Sequence, residues 1–125
     1  MATSKPHFGQ TVLVVEDDQT VRMLAVEVIE DAGFEVIQAI SADEAISILE
    51  NRLDIRLVFS DINLPGSFDG IRLAAYIHDR WPQIEIILTS GKYFPKKNEF
   101  PPRVLFISKP YRLSNVVKTL QKMVH

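Results

Sequence analysis

The chain has 125 residues, 46% of them hydrophobic, a formal net charge of −2 and no cysteine. That is the length of one compact domain with enough apolar content for a core. It excludes disulfides and thiolate metal sites, and with no dense Lys/Arg cluster it carries no electrostatic footprint for nucleic acid. The start, MATSKPHFGQ, has no apolar signal core. No apolar run approaches the roughly 20 residues needed to span a bilayer. A cytoplasmic domain with no membrane partner is expected, with residues 1–10 as a flexible arm, residues 11–125 as the domain and no room for a second one.

Along the chain, short apolar runs alternate with stretches of helical period. Val12 to Val15 reads as strand one. A helix follows, with Val21, Leu24, Ala25, Val28, Ile29 and Ala32 on its inner face, stopped at Gly33. Glu35 to Ala39 is more polar and reads as an edge strand. Ser41-Ala42-Asp43-Glu44 is a capping box opening helix two, with Ala42, Ala45, Ile46 and Leu49 inward. Leu57 to Phe59 is strand three and runs directly into Ser60-Asp61. A turn-rich loop, Asn63 to Gly70, leads to a third helix that reaches about Trp81 and ends at Pro82. Ile84 to Leu88 and Val104 to Ile107 are strands four and five, and a last helix carries Leu113, Val116, Val117, Leu120, Met123 and Val124 as its stripe. Strands alternating with helices predict an α/β doubly wound sheet, parallel and covered on both faces. Right-handed crossovers leave few orders, of which 2-1-3-4-5 is the simplest.

In such sheets, ligands bind beyond the carboxyl ends of the strands near the switch point. Strand one is followed by Glu16-Asp17-Asp18, strand three by Asp61, strand four by Thr89-Ser90 and strand five by Ser108-Lys109-Pro110. Taken singly, each has a plain structural role. Asp17 or Asp18 would cap the next helix, Asp61 would be a turn residue, Thr89-Ser90 a cap and Lys109 a solvated lysine. Jointly, four neighbouring strand ends each supply a needed type. Packed carboxylates repel and call for a hard cation with oxygen ligands. A small ligand set that leaves room for waters and phosphate oxygens favours Mg2+. Lys109 offers a point charge suited to phosphate and Thr89 a hydroxyl donor. An aspartate nucleophile, a metal, an ammonium and a hydroxyl together describe phosphoryl transfer to a carboxylate.

These segments, with Val12-Leu13-Val14-Val15 before the acidic run, Ile62-Asn63-Leu64-Pro65, Asp69-Gly70, Leu88 to Gly91 and Tyr111, resemble the receiver domains of bacterial response regulators. The resemblance runs from Thr11 to the end. It implies a flavodoxin-like, five-stranded parallel sheet and a phosphoacceptor domain of a two-component phosphorelay. Such a domain is no enzyme beyond its own phosphorylation and dephosphorylation. By motif, Asp61 is implied as the phosphoacceptor, Asp17 and Asp61 as direct Mg2+ ligands, Asn63 as a ligand through its backbone carbonyl and Glu16 as one through water. Asp18 would cap helix one. Thr89 would be the switch hydroxyl, Lys109 the phosphate-binding lysine and Phe106 the switch aromatic, able to signal only by repacking. Lys109-Pro110 would be a cis peptide. The implied partners are a histidine kinase or histidine phosphotransfer protein and a downstream protein. The resemblance leaves homodimerisation open, and Thr89-Ser90-Gly91 is similar to the strand-four end of stand-alone single-domain regulators.

Two departures stand out. The loop after Asp61 is one residue longer than the common form, with Gly66-Ser67-Phe68 before Asp69-Gly70. Pro95, Pro101 and Pro102 fall where the family's fourth helix belongs, so a short or irregular helix is expected over residues 91–103, ordered by phosphorylation. Phe94 or Phe100 would then dock near Phe106. Other functions fit less well. An aspartate-nucleophile phosphatase of the haloacid dehalogenase type carries Asp-x-Asp after strand one, whereas the candidate here follows strand three, and two residues on stands Asn63, which cannot be a general acid. A receiver that only binds a partner constitutively would be expected to lack the aspartate, the acidic pair or the lysine, and all are present. A flavin-binding relative would carry a Ser/Thr-Gly-rich loop after strand one, where this chain is acidic.

Overall fold

The computed structural model describes residues 10–66, 68–91, 101, 103–109 and 113–123. Its elements run β1 (Thr11–Val15), α1 (Gln19–Asp31), β2 (Glu35–Ala39), α2 (Ala42–Asn51), β3 (Ile55–Asp61), α3 (Gly70–Arg80), β4 (Glu85–Ser90), β5 (Val104–Ser108) and α4 (Leu113–Met123). The five strands form one sheet in the order β2-β1-β3-β4-β5, and every pairing is parallel. β1, β3 and β4 are interior and almost wholly buried, which is why they are rich in Val, Ile and Leu. β2, at the edge, is mostly exposed or half-buried, and only Ala39 at its end is buried.

Side chains alternate across the sheet with period two, and this divides the core. Leu13, Val15, Val58, Ile86, Leu88 and Val104 face α2 and α3, packing on Ala42, Ala45, Leu49, Leu73, Ala74 and Ile77. Val12, Val14, Leu57, Phe59 and Ile87 face α1 and α4, packing on Ala25, Val26, Ile29, Val116 and Leu120. Three helices open on side-chain caps, of which those at Asp18 and Ser41 are the ones the sequence indicates. Asp18 caps α1, its Oδ1 accepting from Val21 N–H at 3.0 Å. Ser41 caps α2 by accepting from Glu44 N–H at 3.2 Å, while Glu44 Oε1 accepts from Ile40 N–H at 2.8 Å, one residue before the reciprocal position of a standard capping box. Asp69 caps α3, accepting from Arg72 N–H at 2.9 Å.

The structure corrects the reading of α1. Leu24, assigned to the inner face, is 53% exposed, and Val26 is buried instead. Two 3.6-residue stripes run along this helix, and the stripe through 22, 25, 26 and 29 meets the sheet. The strands also run further than the sequence indicates. Asp61 closes β3, Thr89 and Ser90 close β4, and Ser108 closes β5, because ladder pairing continues through Asp61↔Thr89↔Ile107 and Ser90↔Ser108. The expected arm apart from Gln10, residues 92–100 and 102 of the irregular segment with Phe94 and Phe100, and the Pro110 side of the cis peptide lie outside the described residues. Among the described residues, no helix is long and apolar enough to cross a membrane.

The placement of the core makes a simple contrast. Leu13 is fully buried and Leu53 is 96% exposed. Leu13→Ala should cost about 2–5 kcal/mol, and Leu53→Ala should stay within about 0.5 kcal/mol of wild type, both read by urea denaturation. Equal losses at the two positions would show that the core is misplaced.

Candidate functional site

Parallel strands all end at the same rim, and the side chains there follow the same alternation as the core. Asp61 continues the phase of Leu57 and Phe59. It lies opposite Thr89 in the β3–β4 register, and Thr89 continues the phase of Ile87. Glu16, one residue beyond β1, follows Val12 and Val14, and Lys109, one beyond β5, follows Ile107. The sequence therefore directs a carboxylate, a second carboxylate, a hydroxyl and an ammonium to the same side of four strand ends.

The distances bear this out. Oxygens of Glu16, Asp17 and Asp61 lie within 4.8 Å of one another, in an arrangement able to hold a metal ion. Lys109 Nζ is 3.3 Å from Glu16 Oε1 and 3.6 Å from Asp61 Oδ2. Glu16 and Asp61 are buried, at 6% and 7% exposure, whereas Asp17 is exposed. Burial pushes the Glu16 carboxyl above its ordinary range; the backbone N–H of Asp18 pulls it back, the charge of Asp61 raises it further, and Lys109 again opposes. The donor set is all oxygen and largely carboxylate, the chemistry of a hard divalent cation.

Backbone contacts fix each carboxylate. Glu16 N–H donates to Ala39 O at 3.0 Å, its carbonyl accepts from Arg22 Nη1 at 2.9 Å, and its Oε2 accepts from Asp18 N–H at 3.2 Å. Asp61 Oδ1 accepts from Asn63 N–H at 3.3 Å. Ser60 Oγ donates to the Asp61 carbonyl at 2.9 Å. Ile62 N–H donates to Thr89 O at 2.8 Å and Gly70 N–H to Ile62 O at 2.7 Å. A Cβ on Gly70 would lie 2.3 Å from the Asp61 carbonyl oxygen, so α3 can start this close to the aspartate only from a glycine.

Glu16, Asp17, Asp61 and Lys109 are thus brought together as the sequence indicates. Thr89 sits beside Asp61 in the ladder and is 1% exposed. Asn63 follows the aspartate and also reaches Ser90 Oγ with its side-chain amide, at 3.4 Å. Phe106 is half-buried, paired with Leu88 and packed on the α2/α3 core, so it lies on the opposite sheet face from Thr89. The sequence reading did not single out Arg22, Gln38, Ser60 or Ser90 as site residues. Arg22 donates through Nε to Gln38 Oε1 at 3.0 Å as well as to Glu16. Its only sequence signal is a place in the stripe 22, 25, 26, 29.

The chain is similar to known proteins over most of its length. The sensor kinase CckA of Brucella abortus (strain 2308) is 31% identical over 118 residues, which are 91% of this chain and 12% of that protein. The response regulator receiver protein CpdR of the same organism is 28% identical over 116 residues, 90% of this chain and 95% of that one. The crystal structure of the receiver domain of the hybrid histidine kinase CckA superposes with a TM-score of 0.79 at 27% identity, covering 92% of this chain and 99% of the other. This chain spans less than a fifth of the length of the sensor kinases and several of the response regulators that it matches. The family model for the response regulator receiver domain matches residues 12–121, and the chain belongs to that family, a signalling domain of two-component systems.

Proposed function

We propose that Asp61 accepts a phosphoryl group from a phosphohistidine, in a reaction that needs Mg2+. The observation that carries this reading is the meeting of Asp61 with Glu16 and Asp17 within 4.8 Å and with Lys109 Nζ at 3.6 Å. An oxygen of Asp61 forms the new O–P bond as the N–P bond to the donor imidazole breaks. Asp17 and Asp61 would hold the ion directly, with Asn63 contributing its carbonyl and Glu16 acting through water. The bound ion supplies charge neutralisation at the transferring phosphoryl group. Lys109, already between Glu16 and Asp61, is placed to take up phosphoryl negative charge as it arrives. Thr89, next to Asp61 in the ladder, is placed to donate its hydroxyl to the same group. The sensor kinases among the relatives support a histidine kinase or a phosphotransfer protein as the donor.

Incubation with acetyl phosphate and Mg2+ should add one phosphoryl mass to the intact protein. Asp61→Asn should abolish the addition, and Asp17→Ala should remove Mg2+ binding and labelling together. Undiminished labelling of Asp61→Asn would end the assignment.

The same cluster should cost stability when no cation is bound. Asp61→Asn should then raise the melting temperature by roughly 3–6 °C, the shift that a gain near 1 kcal/mol gives a domain of this size. The gain should depend on pH. The folded state holds the Glu16 proton more tightly than the unfolded chain does, so this contribution favours folding at low pH and is lost as pH rises through the raised value. Protonated Glu16 no longer repels Asp61, and the advantage of Asp61→Asn should shrink as the solution is acidified below that value. Thermal melts from neutral to mildly acidic pH read both effects, and a lower melting temperature for Asp61→Asn at neutral pH would contradict the charge cluster.

A further inference from the structure

We propose that Arg22 is a positioning residue for the cation site, acting through the backbone of Glu16 and not by touching the ion or the phosphoryl group; the inference rests on the reading of Glu16, Asp17 and Asp61 as that site. Arg22 is half-buried, on the stripe of α1 that turns toward the sheet. Its Nη1 donates to Glu16 O at 2.9 Å and its Nε to Gln38 Oε1 at 3.0 Å, while its own N–H donates to Asp18 O at 2.9 Å. The guanidinium, carried on the first turn of α1, therefore ties that helix to the residue after β1 and to β2.

The Glu16 carbonyl lies where the ladder has stopped. β1 ends at Val15, and the preceding peptide is already held, Glu16 N–H donating to Ala39 O. The Arg22 contact supplies a partner for this carbonyl and fixes the peptide that joins Glu16 to Asp17. Both carboxylates of the acidic pair hang from that peptide. The backbone dihedrals on either side of it set how the two side chains are aimed at the 4.8 Å cluster, and a peptide held at its carbonyl holds those dihedrals. The planar fork of an arginine suits this task because two of its nitrogens can be engaged at once in a fixed geometry.

The sign of the effect separates positioning from simple charge. Removing a cation near three carboxylates would, by Coulomb attraction alone, tighten Mg2+ binding. Removing a positioning contact weakens it. The test is Mg2+ titration followed by the amide NMR signals of residues 16–18 and 61–63, at physiological ionic strength, with phosphoryl uptake from acetyl phosphate measured in parallel. Arg22→Met should raise the Mg2+ Kd about fivefold or more, the scale of one lost charge-assisted hydrogen bond, and Arg22→Lys should recover most of it by donating to Glu16 O. Gln38→Ala frees one end of the fork and should give a smaller shift in the same direction. The slowed phosphoryl uptake of Arg22→Met should be restored at saturating Mg2+.

Unchanged or tighter Mg2+ binding in Arg22→Met overturns the inference, as does a rate deficit that saturating Mg2+ does not repair. If Arg22→Met fails to fold, Gln38→Ala carries the test, and wild-type affinity in that variant overturns the inference. The wild-type protein keeps the two readings apart. Failure of the wild type to bind Mg2+ or to take up phosphoryl defeats the site assignment and this inference with it, whereas a functional wild type beside an unaffected variant defeats the role of Arg22 alone.

Discussion

Holding Glu16, Asp17 and Asp61 with their oxygens within 4.8 Å of one another is the demand that the rest of this structure serves. Two like charges at such a distance repel by about 1 kcal/mol in water and by about 3 kcal/mol at an effective dielectric near 20. Left on a flexible loop, the carboxylates would separate. Here that separation is opposed, because they hang from or just beyond the ends of two adjacent interior strands whose side chains are buried on both faces. Lys109 arrives from β5, two strands away from β3, and stands 3.3 Å from one buried carboxylate and 3.6 Å from another. A parallel sheet brings this about directly, since every strand delivers its carboxyl end to one rim.

The polypeptide around the carboxylates is fixed by groups that do no chemistry themselves. On the Glu16 side these are Ala39 O, Arg22 and Asp18 N–H. On the Asp61 side the start of α3 is drawn against the aspartate's carbonyl, and Gly70 is required by contact. Gly66, four residues earlier, is required for a different reason. Its φ is +93° with nothing within 4 Å of a would-be Cβ, so backbone conformation rather than space selects glycine there. Gly66 lets the chain turn in the open, and Gly70 lets it return to close contact.

Much of this was legible in the sequence because it depends on short-range pattern. β1 and β3 are continuous apolar runs, the caps Asp18 and Ser41 stand before their helices, and the polar residues follow directly on the apolar ones. The phase of α1 was not legible. Val21, Leu24 and Val28 make as good a stripe as Ala25, Val26 and Ile29, and only packing on the sheet decides between them. That ambiguity hid Arg22, since a residue assigned to the solvent side of a helix is not suspected of reaching a strand end. Ser60 and Ser90 were hidden otherwise. They alternate to the face opposite Asp61 and Thr89, and their contacts with Asp61 O and Asn63 come from local geometry that no periodicity encodes.

The same alternation bears on the switch roles that the resemblance implies for Thr89 and Phe106. Thr89 shares the face of Asp61, while Phe106 pairs with Leu88 and points into the core under α2 and α3. A hydroxyl drawn toward a phosphoryl group on Asp61 therefore cannot vacate space for the Phe106 ring on its own side of the sheet. The displacement has to pass through the β4 backbone, which carries Thr89 outward on one face and Leu88 on the other. Leu88 is fully buried and lies directly beside Phe106 in the ladder, so a shift of β4 alters the packing that the ring meets. Interiors packed at native density transmit such shifts rather than absorb them. By such a route Phe106 would need no hydroxyl, since the contact that shifts is its packing against Leu88 in the ladder.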